Sequence, residues 1–221
     1  MSNKVEKIIG FLMFITSMIR LYIVRHGETE WNRERRFQGW KDSPLTEKGR
    51  QQVKSLAERL KDHEIDYLYS SPSGRTMETA DIIADANDLE IIEEPGFKEI
   101  NLGELEGKRS EWIKSNYPDV IYDFWNDPEN YEPISGEDFY DLRERVIGTL
   151  NNILEKHPDD KILIVSHAAT SKTILSDFDG KELSRLWDPP FLKAASLSVV
   201  DIEGDGSEIK MYGDVSHYKS G

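Results

Sequence analysis

An α/β fold, a three-layer sandwich with a mostly parallel central sheet flanked by helices, is what this sequence predicts, on three observations. Short apolar runs alternate with amphipathic stretches along most of the chain, the pattern of strands covered by helices. Three of the runs end in residues that do chemistry: Leu21-Tyr22-Ile23-Val24 leads into Arg25-His26, Ile65-Asp66-Tyr67-Leu68-Tyr69 into Ser70, Ser71 and then Arg75, and Ile162-Leu163-Ile164-Val165 into Ser166-His167. The chain has 221 residues, 38% of them hydrophobic, enough for one large domain with a core.

The elements follow in order. Residues 1–17 read as an N-terminal extension: Lys4 and Lys7 precede an apolar stretch, Ile8 to Ile19, that looks like the front of a signal peptide. That stretch is interrupted by Thr16 and Ser17 and falls short of the roughly 20 residues a spanning helix needs, so membrane targeting is disfavoured. A single domain is expected over 18–221. After the first strand, Leu45 to Asp62 predicts a helix, with Thr46 as N-cap and Val53, Leu56, Ala57 and Leu60 on one face. Arg75 to Asn87 predicts a second helix and Leu89 to Glu93 a strand, followed by a loop punctuated by Gly96, Gly103 and Gly107. Between Lys108 and Gly136 the character changes, with Trp112, Tyr117, Tyr122, Phe124, Trp125 and Tyr131 set among prolines and acids. This segment, about 108–136, is expected to be a helical, aromatic-rich insert over the carboxyl ends of the strands, where α/β sheets bind ligands. It is either a lid or a small core of its own, and the second is the simpler reading. A long helix follows from Glu137 to His157, stopped by Pro158, then the Ile162 strand and a helix over Ala168 to Asp177. Ser196 to Ile202 and Glu208 to Gly213, joined by Gly204-Asp205-Gly206, form a closing hairpin whose open edge would let two copies pair as a homodimer.

Composition excludes several functions. A formal net charge of −14 argues against nucleic acid and anionic membrane as partners, so an anionic ligand must be met by a local basic pocket. The absence of cysteine removes disulfides, thiolate metal sites and a cysteine nucleophile, and points to a cytoplasmic location. His63, His157 and His217 show no ligand spacing, so no metal is expected.

The strand ends carry the function. A lone histidine after a strand is more often structural than catalytic. Here, however, His26 and His167 occupy equivalent strand ends with Arg25 and Arg75 converging on them, and four basic groups on one rim repel unless an anion neutralises them. Phosphate is the natural occupant, because guanidinium groups bond bidentately to its oxygens and Gly27 admits the backbone close to the ligand. Arg33, Arg35 and Arg36 behind the motif read better as a solvated loop than as part of that pocket.

These residues also match a known pattern. Arg25-His26-Gly27-Glu28-Thr29-Glu30-Trp31-Asn32, Phe37-Gln38-Gly39-Trp40-Lys41-Asp42-Ser43-Pro44-Leu45-Thr46, Ser70-Ser71-Pro72 with Arg75, Glu99-Ile100-Asn101-Leu102-Gly103 with Glu106-Gly107, and Ser166-His167 together resemble the histidine phosphatase superfamily in its phosphoglycerate-mutase-like branch. The resemblance covers residues 20 to about 175. It implies that His26 is a nucleophile forming a phosphohistidine, that Arg25, Arg75 and His167 hold the phosphoryl oxygens, and that Asn32 and Gln38 add contacts. It selects Glu99 as general acid; from position alone that residue reads equally well as a surface carboxylate beside Lys98, and Glu93, Glu94, Glu104 and Glu106 are rivals. Where many members carry glycines after the second histidine, this chain has Ala168-Ala169, so the backbone donor expected there belongs to Ala168.

The implied activity is metal-independent hydrolysis of a small phosphomonoester, such as a sugar or glycerate phosphate, with no cofactor. A phosphoglycerate mutase primed by a bisphosphate is the first alternative. It is disfavoured because the insert offers only Lys108, Arg109 and Lys114 for a second phosphate. A non-catalytic phosphate-binding module is the second, disfavoured because every catalytic position is filled.

Overall fold

The computed structural model describes residues 18–218. The proposed extension, residues 1–17, lies outside the described residues. The chain runs β1 (Met18–Arg25), a one-turn α1 (Glu30–Arg33), α2 (Glu47–Leu60), β2 (Tyr67–Ser70), α3 (Gly74–Asn87) and β3 (Ile91–Glu93). It continues through α4 (Ser110–Asn116), α5 (Pro118–Asn126), α6 (Phe139–Lys156), β4 (Lys161–Ser166) and α7 (Ala168–Phe178), and closes with the hairpin of β5 (Leu197–Glu203) and β6 (Gly206–Asp214).

The sheet order is β3-β2-β4-β1-β5-β6. The first four strands are mutually parallel, and β5 and β6 add antiparallel. Alternation along the buried strands builds the two outer layers. Leu21 and Ile23 of β1, with Ile162 and Ile164 of β4, face Leu142, Val146, Leu150 and Ile153 of α6 and Ile174 and Leu175 of α7. Tyr22, Val24, Leu163 and Val165 face the other way, onto Val53, Leu56 and Leu60 of α2 and Ile83 of α3. The strands are apolar on both sides because both faces are covered, and the predicted three-layer class is the one found.

Element ends move for local reasons. Thr46 caps α2, accepting the Gly49 N–H at 2.9 Å, so the helix starts at Glu47 and Leu45 stays extended, bridging to Thr29. Asp138 and Asp141 form a reciprocal capping box that starts α6 two residues later than Glu137. The strand expected from Leu89 begins at Ile91, after the left-handed residue Asp88 ends α3.

The insert is helical, as expected, through α4 and α5. Its aromatics do not form a separate core. Phe124 and Tyr131 are buried in the main core against Phe139. The reason is reach: α5 packs Phe124 between Phe37 at 5.4 Å and Trp187 at 5.7 Å between ring centroids, joining the insert to the sheet.

Candidate active site

Pairing of β1 with β4 sets Arg25 opposite Ser166, so the next residues, His26 and His167, leave the carboxyl end of the sheet side by side. Their ring centroids are 5.4 Å apart, and both side chains are buried. His26 Nδ1 lies 2.8 Å from the Gly27 carbonyl oxygen. A carbonyl only accepts, so Nδ1 carries the proton and Nε2 presents its lone pair. That lone pair accepts from Arg75 Nε at 3.3 Å. Burial, and then the charges of Arg75 and Arg25, hold the His26 pKa well below the ordinary histidine range. The ring is therefore a neutral imidazole whose Nε2 lone pair lies among cations.

Arg75 is almost fully buried at the second position of α3. Its guanidinium donates to Lys41 O at 3.0 Å, Asp42 Oδ1 at 2.8 Å and Gly39 O at 2.8 Å. Ser73 makes no side-chain cap for α3; Asp42 takes that place, accepting the Arg75 backbone N–H at 3.2 Å. One carboxylate thus starts the helix and fixes the arginine it carries. The carbonyls that receive Arg75 are themselves shaped by Glu106, whose buried carboxylate accepts the N–H groups of Trp40 at 2.8 Å, Lys41 at 2.9 Å and Leu102 at 3.2 Å. Glu106 is therefore spent on the loop and is no rival to Glu99.

Two polar atoms of the site are buried without a partner. Arg25 donates one Nη1–H to Leu192 O at 2.6 Å, but its Nε has none. His167 pairs Nε2 with Ser71 Oγ at 2.8 Å, and its Nδ1 has none. Buried polar groups are nearly always satisfied, so two orphans at one strand edge mark a place where a polar ligand belongs.

Thr29 organises the amides. Its hydroxyl accepts the Asn32 N–H and donates to Gln38 Oε1, both at 3.1 Å, while Asn32 Oδ1 accepts the Thr29 N–H. Both side-chain carbonyl oxygens are used, and the two NH₂ groups have no partner among the described residues. On the far side, Glu99 accepts N–H groups from Ile100 at 3.1 Å and from Ala169 and Thr170 at the start of α7, each at 3.2 Å. The Ala168 N–H, the first of that helix, is left over.

These groups line one cleft of about 300 Å³: Arg25, His26, Asn32, Gln38, Arg75, Glu99 and Ala168 are all on its wall. His167 is fully buried behind that wall. The outer part is apolar, built from Phe37, Ile100, Leu102, Phe124, Trp125 and Trp187. Arg35 and Arg36 also line it, so the basic run reaches the pocket as well as forming the expected exposed loop, in which Arg33 pairs with Glu30 and Arg36 with Glu34. Backbone pairing is the cause: Phe37 N donates to Lys108 O and Ser110 N to Arg35 O, folding the basic run back over the site.

The family model for the histidine phosphatase superfamily, branch 1, matches residues 21–215. The chain belongs to that superfamily. It is 35% identical to phosphoserine phosphatase 1 of Hydrogenobacter thermophilus, over 84% of this chain and 88% of that one. It is equally 35% identical to the probable phosphoglycerate mutase GpmB of Cronobacter sakazakii, over 90% and 95%. Among solved structures, YhfR of Bacillus stearothermophilus superposes with a TM-score of 0.87 at 40% identity, covering 90% of this chain and 98% of that one. The protein is thus an enzyme of the histidine phosphatase superfamily. No described helix is long and apolar enough to cross a membrane.

Sequence reasoning missed the segment between α7 and β5, which supplies Leu192 O to Arg25 and Trp187 to the cleft. Trp187 is anchored by its indole N–H on Phe124 O at 2.6 Å. The signal was faint: a tryptophan before Pro189-Pro190 marks a loop with one buried anchor, and nothing in it says which site the anchor walls.

Proposed function

We propose that the protein hydrolyses small phosphomonoesters through a phosphohistidine on His26 Nε2, without a metal. The observation that carries this reading is the neutral Nε2 lone pair held among Arg25, Arg75 and His167, beside two buried polar atoms that lack partners. A phosphoryl group entering there takes the Arg75 Nε–H and the Arg25 Nε–H. It also takes the His167 Nδ1–H, in the tautomer where Ser71 Oγ donates to Nε2. The Ala168 N–H and the amides of Asn32 and Gln38 complete the ring of donors. Such donors act on charge as it spreads over the equatorial oxygens, and losing one costs about 10²- to 10³-fold in rate.

In the first step the Nε2–P bond forms, the P–O bond breaks and the leaving oxygen takes a proton from Glu99. In the second, water gives a proton to Glu99 and attacks phosphorus, the P–N bond breaks and inorganic phosphate leaves. Glu99 suits both steps by position, since α7 and Ile100 hold its carboxylate at the cleft wall, and the arriving phosphoryl dianion is what favours its protonated form. The apolar outer walls suit a leaving group with a flat or apolar face, as in sugar or glycerate phosphates. The name of the phosphoserine phosphatase relative supports a small phosphorylated metabolite.

The mutase reading is favoured by the GpmB relatives. It requires the site to retain a bisphosphate, and the outer cleft is poor in cations: Arg36 is committed to Glu34 Oε2 at 2.6 Å and to Gly107 O at 2.7 Å. Release of inorganic phosphate from p-nitrophenyl phosphate and a panel of sugar and glycerate phosphates, in EDTA, tests the choice. Turnover abolished by His26→Ala supports the proposal. A wild type that releases no phosphate but interconverts phosphoglycerates with a bisphosphoglycerate primer replaces it with the mutase.

A further inference from the structure

Ten of the chain's twelve arginines stand within ion-pair distance of a carboxylate. Among the described residues the two without one are Arg25 and Arg35, and both line the same cleft. In a chain with 42 acidic residues against 28 lysines and arginines, an arginine without a carboxylate is an exception that asks for another anion. Arg25 has its anion in the phosphoryl group. Arg35 has none assigned.

The backbone at Arg35 is held in place. The Arg36 N–H bonds Trp31 O and the Arg35 N–H bonds Asn32 O, the pair of bonds that ends a helix in a Schellman motif, with Arg35 at its left-handed position. Its φ is +56°, a conformation for which glycine is the favoured residue and a Cβ is a penalty. The position tolerates a side chain, as do the left-handed Glu64, Asp88 and Ala195, and what sets Arg35 apart is a charge without a carboxylate beside it. That side chain is exposed, hydrogen-bonds to nothing among the described residues, and lies at the cleft beside Ser110, whose N–H pins the Arg35 carbonyl at 2.9 Å. A backbone fixed at both ends of the residue thus carries an unpaired guanidinium at the wall of the cleft that holds the phosphoryl site.

We propose that Arg35 is a specificity residue binding a carboxylate on the leaving group, so that the preferred substrates are phosphomonoesters with an apolar middle and a carboxylate at the far end. This rests on the phosphatase reading above. One unpaired guanidinium matches the two oxygens of a carboxylate; a second phosphate dianion would call for further free cations, and Arg36 is already committed.

The test compares 4-carboxyphenyl phosphate with phenyl phosphate, in the wild type and in Arg35→Gly. The expected wild-type kcat/KM ratio favours the carboxylated ester, falls as salt screens the exposed pair, and drops about tenfold in R35G, through KM rather than kcat. Meanwhile the melting temperature of R35G holds or rises, because glycine relaxes the left-handed residue. A ratio that R35G leaves unchanged overturns the inference and leaves the phosphatase reading intact. A fall in melting temperature also overturns it, since the side chain would then be structural. A wild type that hydrolyses neither ester overturns both.

Discussion

Lowering the pH from about 7.5 to about 5.5 will remove on the order of 3 kcal/mol of folding stability at most through His26 and His167. Both imidazoles are buried and held neutral, His26 by burial and the Arg75 and Arg25 charges, His167 by burial, Arg75 and His26. In the unfolded chain both titrate near the ordinary value of about 6.5. Their folded values are depressed, so above the unfolded value neither state binds the proton and the full stability is present. As pH falls through that value the unfolded chain gains two protons that the folded one refuses, and stability is lost. Each fully refused proton is worth about 1.4 kcal/mol per pH unit, so over this window each histidine contributes at most between about 1 and 2 kcal/mol.

The assay is urea unfolding followed by tryptophan fluorescence at a series of pH values, for the wild type, His26→Gln, His167→Gln and the double variant. Each single change is expected to remove about half of the slope. His63 and His217 are also depressed, chiefly by burial, but they are more solvated and persist in every variant, so they set a common, shallower background. A double variant with the same pH dependence as the wild type would refute the claim that these two rings are neutral in the folded protein.

Two further predictions follow from positioning contacts. The Arg145 guanidinium donates to Gly96 O at 2.9 Å, Lys98 O at 3.0 Å and Glu99 O at 3.3 Å, and pairs with Glu137, whose Oε2 accepts the Asn101 N–H at 2.9 Å. Arg145→Met frees the loop that carries Glu99, so turnover of alkyl phosphates, which need a proton on the leaving oxygen, should fall about 10²-fold while p-nitrophenyl phosphate suffers much less; equal losses on both would show that Arg145 does not position the acid. Gly49 lies in α2, where alanine is intrinsically better by about 1 kcal/mol, yet its Cβ would stand 2.2 Å from Glu28 O, in the loop that follows His26. Gly49→Ala should therefore lower stability by about 1–3 kcal/mol in thermal or urea unfolding, and a rise would refute the close approach.

The layers of the fold were legible because burial on both faces leaves near-continuous apolar strands, and the helices kept their period. The inner half of the site was legible for a related reason. His26, Arg75 and His167 sit at strand ends or one step beyond, so a topology that sets strand ends side by side sets these residues side by side. Asn32 and Gln38 could be named from the resemblance, but not the hydroxyl of Thr29 between them, since a capping box also satisfies a helix start on its own. The outer half was illegible. Arg35 and Trp187 come from loops with no period, Phe124 and Trp125 from a short helix whose docking partner no local pattern names, and the placing of Arg35 depends on backbone pairing between 35–37 and 108–110. The basic run around Arg35 looked like a solvated loop because charge patterning says what a segment can tolerate, not what lies across from it.

On the proposed mechanism, two arginines serve both reactivity and binding. Arg25 and Arg75 favour an unprotonated His26, so the lone pair proposed to attack phosphorus is available at neutral pH, and the same two residues are the proposed donors to the phosphoryl oxygens. A site made this way cannot be fully satisfied without its ligand. Filling the gap with a carboxylate would quench Arg25 and let His26 take a proton, which would remove the nucleophile. The Nε of Arg25 and Nδ1 of His167, buried without a protein partner, are on the proposed mechanism the atoms reserved for phosphoryl oxygens. The proposed phosphoryl group would meet them at the oxygens whose charge shifts as the P–O bond breaks. The distribution of charge follows the same logic: ten arginines stand within ion-pair distance of an acid, and among the described residues the two without one, Arg25 and Arg35, both line the cleft.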